Sequence, residues 1–371
     1  MIAPLRTVPP ALALALAVML APPARADEAP PPEALAASVA GAVEGMILPG
    51  YRAFEAAATA EAEALAALCK KPGATPLWRA RRGFKRLAAA FSRIEPFRFG
   101  PARRDNRFER LFFWPDRRGR GFRQVTEIIR VQDESARASD SLADKSVAVQ
   151  GLPALDYALF GRESEQLRTD APAAAFRCAY AQALGGRIAA VAAALARDWA
   201  EGYGRLVEAP GPDNPVYRSH GEVMQALLRS AREQLQVAAD FKLARVIGDA
   251  DRPPQPATAP FPQAGVGLRT TDANIAAIQD LLAAMNLPAL MGAESAGIPD
   301  ELAFHLAGAR TALRDAIDLA GDQWPAVLAN AEARSRAGYA VLALGYAIEI
   351  LGERLPQALG LVAGFNSLDG D

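Results

Sequence analysis

Residues 170–204 read DAPAAAFRCAYAQALGGRIAAVAAALARDWAEGYG, and within them Phe176, Tyr180, Leu184, Ile188, Val191, Leu195 and Trp199 recur at spacings of four and three. A period near 3.6 puts these seven large apolar residues on one face of a helix, with alanines filling most of the other positions. A strand, whose side chains alternate from face to face, could not gather them on one side. Asp170 stands where an N-cap belongs, Pro172 falls in the first turn, and Gly202 and Gly204 mark the expected end.

The same pattern extends in both directions. A long Ala/Glu helix is predicted from Pro32 to about Leu68, stopped by Lys70-Lys71-Pro72-Gly73, and a second from Pro76 to Ile94. Helix is expected again over Phe122–Glu134 and Ser141–Val147. Ser219-His220-Gly221-Glu222 forms a capping box leading into Val223–Val246. Further helices are expected over Asp272–Met285, Pro299–Leu319 and Pro325–Leu355, the last ended by Pro356. The fold class is all-α, with two helical domains that each resemble a four-helix bundle. Their junction is expected in the Pro/Gly stretch Pro210–Pro215, giving an N-terminal bundle over 27–209 and a C-terminal bundle over 210–371 with a Pro-rich connector at 253–262. Leu152-Pro153-Ala154-Leu155 recurs as Leu287-Pro288-Ala289-Leu290, consistent with a duplication.

Residues 1–26 have the form of a secretory signal peptide: Arg6, an apolar run from Ala11 to Ala21, then Ala24-Arg25-Ala26 as a small-x-small cleavage site. The run is shorter than the roughly 20 apolar residues a membrane span needs. The alanine-rich segments further on are interrupted by charges. A cleaved, periplasmic cell-envelope protein is therefore expected. The only two cysteines are Cys69 and Cys178, and export to an oxidising compartment predicts a disulfide between them. No CxxC spacing suggests a thiolate metal site.

The formal net charge is -1, yet residues 79–123 carry an excess of 11 positive charges. Residues 97–121, rich in Arg, Gly, Pro and aromatics, lack a helical period and read as an ordered, irregular excursion. Arginines beside rings are also the ingredients of a nucleic-acid surface, but export removes that partner. Two readings stay open: recognition of an anionic group or lipid surface, and a structural role in which the rings fill the base of the bundle while the arginines pair with acids on neighbouring helices. Among other chemistries, there is no HExxH, GxSxG or phosphate-binding glycine loop. His220 belongs to a capping box and His305 reads as a partly buried helix histidine. The terminal Asp369-Gly370-Asp371 falls far short of a calcium loop.

The stretch Gln150-Gly151-Leu152-Pro153-Ala154-Leu155-Asp156-Tyr157-Ala158-Leu159-Phe160-Gly161 resembles the signature of the imelysin family, a Gly-x-His-x-x-Glu followed by aromatic and leucine residues. Phe99-Gly100-Pro101, Phe113-Trp114-Pro115-Asp116, Arg269-Thr270-Thr271-Asp272-Ala273-Asn274-Ile275 and the ending from Gly364 to Asp371 resemble other family segments in the right order. The resemblance implies an envelope protein of two helical bundles with a site in the groove between them. Some members are linked to iron uptake or iron-regulated functions, and some are classed as metallopeptidases.

This chain departs from the signature at its chemical core, with Pro153 in the imidazole position and Asp156 in the carboxylate position. His and Glu at i and i+3 share a helix face and could grip one metal ion; proline offers no donor. Asp156 is left as a ligand contact, a metal ligand for a divalent or ferric ion, or a carboxylate complementing a helix N-terminus. Gly151 and Pro153 are expected to scaffold the turn, and Arg98, Trp114, Asp116 and Arg269 are cleft candidates because they lie in or beside family-matching segments. The expected function is binding of a metal ion or small ligand, with no catalytic residue. A metallopeptidase with other ligands, or an interaction module docking on envelope proteins or anionic lipid, are the alternatives.

Overall fold

The computed structural model describes residues 30–361; the signal peptide and the ending from Gly364 lie outside them. Helix α1 runs Pro32–Lys70, and Pro72 and Gly73 stop it as expected. Helix α2 follows at Ala74–Ile94, α3 at Arg120–Val131 and α4 at Leu152–Phe160. Helix α5 spans Pro172–Glu208. Helix α6 begins at His220, passes through a π-helical stretch at Val237–Ala244 and ends at Ile247. Helices α7, at Gly267–Ala284, and α8, at Ile298–Ala320, come next. Helix α9 starts at Ala331 and continues through a π-helical turn at Ile350–Arg354 to Ala358. No strand occurs among the described residues.

The seven-residue apolar face of 170–204 is what packs α5 into the core. Phe176, Tyr180, Leu184, Ile188, Val191, Leu195 and Trp199 are all buried, and α5 lies mainly along α1. Cys69 and Cys178 form the expected disulfide, with Cα atoms 5.5 Å apart, joining the end of α1 to the start of α5. By length and composition α1 and α5 could each cross a bilayer, which the charge interruptions in the sequence argued against; here their apolar faces are spent against each other and the core. Helices α6, α7, α8 and α9 pack together, and α2 bridges to them by lying against α7. The beginning of α1 also packs on α6 and α7. One continuous apolar cluster consequently runs from Val39 to Leu359.

Several boundaries differ from the sequence reading for local reasons. Asp170 does not cap α5; the N-cap is Ala171, and Pro172 opens the helix. Gly202 and Gly204 do not end it either. A π-helical turn at Trp199–Tyr203 carries the chain on to Glu208, with the Trp199 and Tyr203 rings packed edge to face 5.0 Å apart. The expected helix over Pro325–Leu355 is broken at Asn330, whose side chain accepts from the Ala333 N–H and starts α9 afresh. Pro356 sits in the first turn of the last helical segment, where its missing N–H costs nothing. The capping box holds: Ser219 Oγ accepts from the Glu222 N–H at 3.2 Å, and Glu222 in turn accepts from the Arg218 N–H at 2.7 Å. The basic excursion is ordered and contains two short helical pieces, Gly100–Asn106 and Arg107–Leu111.

Candidate binding cavity

The signature stretch forms α4, with Pro153 in its first turn. Gly151 is needed by close approach: a Cβ there would lie 2.3 Å from the Leu111 carbonyl oxygen and 2.4 Å from that of Arg110. The excursion thus crosses directly over the start of α4. Asp156 lies one turn further on and is 2 % exposed. Its Oδ1 accepts from the Ala264 N–H at 2.8 Å and its Oδ2 from the Gln263 N–H at 3.1 Å. A carboxylate on α4 therefore fastens the connector, rather than complementing its own helix. Burial pushes the Asp156 carboxyl up to about 7, against the two amide hydrogen bonds and the nearby Lys85 charge.

The connector is held as a structural part. Phe261, in a left-handed conformation, inserts its ring against Phe84 at 5.6 Å and Phe112 at 5.3 Å. Trp114 donates its indole N–H to the Thr258 carbonyl at 3.0 Å. Between the connector, the excursion and the start of α4 lies a cavity of about 440 Å³, whose walls include Trp114, Asp116, Phe122, Pro153, Asp156 and Tyr157. That volume is in the range that accepts a small organic molecule. A second, wider cleft of about 780 Å³ lies on the other side of Phe113, Trp114 and Pro115, which line both.

Asp116 also has both oxygens engaged, accepting from the Arg120 N–H at 2.8 Å and the Phe122 N–H at 3.1 Å at the start of α3. Of the residues marked in the sequence, Trp114, Asp116, Pro153 and Asp156 meet in this cavity; Arg98 and Arg269 do not line it. Arg98 lines the second cleft, where it pairs with Glu95 at 3.0 Å and donates to Gln234. Arg269, 63 % exposed in its side chain, faces Asp322 at 3.3 Å. Asp322 accepts from the Leu268 and Arg269 N–H groups at the start of α7.

A metal ion fits this arrangement poorly. Pro153 supplies no donor atom, and each oxygen of both cavity carboxylates already accepts one backbone amide. No group of three or more His, Cys, Asp or Glu side chains suited to a metal occurs among the described residues. His220 contacts the Glu208 carbonyl, and His305, half-buried, stacks on Tyr346.

The sequence reading missed the buried polar cluster beneath Trp114. Lys242, in the π-helical stretch of α6, is 1 % exposed. Its Nζ donates to Glu95 Oε2 at 2.6 Å and to Asn274 Oδ1 at 2.7 Å. It also sits 5.6 Å from the Trp114 ring centre and 5.7 Å from that of Phe112. Burial pushes the Glu95 carboxyl up, but the Lys242 and Arg98 charges with their hydrogen bonds prevail and hold it below the usual range. Burial draws the Lys242 ammonium below its ordinary value against the pull of Glu95. A signal for Lys242 exists: it falls on the stripe Leu235, Ala238, Ala239, Leu243, Val246, every member of which is buried.

These features define an all-α protein with an aromatic-walled cavity where its helical groups meet. The chain matches the family model described as Peptidase_M75, Imelysin, over residues 47–351, and it belongs to the imelysin family. Among solved structures it is similar to an imelysin-like protein from Psychrobacter arcticum 273-4, with a TM-score of 0.76 at 18 % identity over 92 % of this chain and 99 % of that one. It is also similar to a protein from Parabacteroides distasonis ATCC 8503 described as an iron-regulated protein A precursor, with a TM-score of 0.69 at 16 % identity over 89 % and 96 % of the two chains. No curated protein matches it.

Proposed function

We propose that this chain is an exported, periplasmic imelysin-like protein that binds a small ligand in the cavity between the excursion, α4 and the connector. The observation that carries this reading is the state of the cavity's two carboxylates: Asp116 and Asp156 are both committed to backbone amides, while aromatic walls stay available. Such a site suits recognition of an organic molecule more than polarisation of a peptide carbonyl, which wants an open metal position or an activated nucleophile. A link to iron is supported by the likeness to a protein described as iron-regulated. In this site that link would run through an iron complex rather than a bare cation.

Native mass spectrometry of the protein purified from the periplasm tests the reading. The expected result is a chain beginning near Asp27, carrying a small-molecule mass that denaturation releases. A cytoplasmic, uncleaved product would overturn export. Chelator-sensitive peptide hydrolysis by homogeneous protein, abolished by Asp156→Asn, would overturn the binding reading in favour of a metallopeptidase.

A further inference from the structure

The wall of this cavity carries two guanidinium groups that no carboxylate meets. Arg117, from the excursion, and Arg245, from the end of α6, both line it. They lie over the same ring, that of Phe241, with guanidinium carbons 5.5 and 5.3 Å from its centre. Neither has an ion-pair partner among the described residues, whereas Arg81, Arg93, Arg98, Arg104 and Arg107 each do. The cavity's own carboxylates, Asp116 and Asp156, direct their oxygens to backbone amides and form no ion pair with either guanidinium.

Two guanidinium groups without an ion-pair partner on the wall of one cavity present positive charge to it, and an anionic group held there is drawn to that wall. The same cavity is lined by Phe113, Trp114 and Tyr157, and Phe122, packed edge-on to Tyr157 at 5.3 Å, is 53 % exposed. Phe122 thus keeps open apolar ring surface at the cavity that a planar ligand body can cover. We propose that the cavity recognises an organic anion with a planar apolar body: the acidic group on Arg117 and Arg245, the body among Phe113, Trp114 and Phe122. The assignment rests on the reading of this cavity as a ligand site, and adds the chemical class of the ligand.

Two dyes with one body separate the two claims. 1-Anilinonaphthalene-8-sulfonate and the neutral N-phenyl-1-naphthylamine differ only in the sulfonate, and both report binding by fluorescence. The intact chain should bind the anion at least about tenfold more tightly than the neutral dye, a difference that rising salt diminishes. Arg117→Gln with Arg245→Gln should erase that preference and leave the neutral dye unaffected. Ala257→Trp, on the exposed connector wall of the cavity, should weaken both dyes. Equal affinities, or a preference that survives the arginine changes while Ala257→Trp still weakens both dyes, would overturn the anion assignment and leave the cavity as a site. If Ala257→Trp changes neither dye, the dyes bind elsewhere and both claims fall.

Discussion

Asp156 shows how one buried carboxylate can join distant parts of a chain. Its oxygens hold Gln263 and Ala264, so Asp156→Asn should leave one buried amide facing another donor and cost about 1–3 kcal/mol, read by denaturant unfolding. Its pH dependence has a definite sign. Because burial raises the folded carboxyl to about 7 from its ordinary value near 3.8, the native chain holds a proton that the unfolded chain has already released between those values. The contribution of Asp156 is therefore complete at pH below about 3.8 and is lost as pH rises towards 7, by up to about 1.4 kcal/mol per pH unit. The Asp156→Asn protein should lose less stability than wild type between pH 5 and pH 7; equal slopes would mean the carboxyl titrates normally. That Asp156 mattered was legible from its place in the signature. Its partners were not, because they lie more than a hundred residues away in a connector with no pattern of its own.

At the scale of elements, helices were the most legible part, since each long one carries its own apolar stripe. The sequence hid the π-helical stretches, where a local widening lets a helix pass points that look like ends, as at Gly202 and Gly204. The stretch Val237–Ala244 brings Lys242 to Glu95. Lys242→Met should destabilise the protein by about 3 kcal/mol, since it leaves a buried carboxylate short of its nearest cation. The double change with Glu95→Gln should cost less than the sum of the single changes, and a double-mutant cycle by denaturant unfolding measures the difference. The disulfide between α1 and α5 was legible from the count of two cysteines together with the export the N-terminus predicts. Replacing Cys69 and Cys178 by Ala should lower stability by up to about 4–5 kcal/mol in the chain-entropy picture, seen as a lower denaturant midpoint.

For the whole molecule, the junction expected at Pro210–Pro215 is crossed by many contacts. Ser92 and Glu95 bond Asn274, Ser230 bonds the Pro96 carbonyl, and Phe84 and Phe112 pack on Phe261. A fragment of residues 27–209 should accordingly fail to unfold cooperatively by itself, while the full chain melts in one transition; calorimetry of both decides it. Such crossings were illegible because periodicity reports which face of a helix is apolar and never which helix meets it. The connector carries a last consequence. A hinge needs slack, and residues 256–264 have none: a ring is driven into the first group of helices, an indole holds Thr258, and a carboxylate holds two amides. The two helical groups are therefore pinned to one another along this segment. The connector works instead as a clasp, whose three fastenings lie in three different parts of the chain, the excursion, α2 and α4, and hold one wall of the cavity in register with the rest.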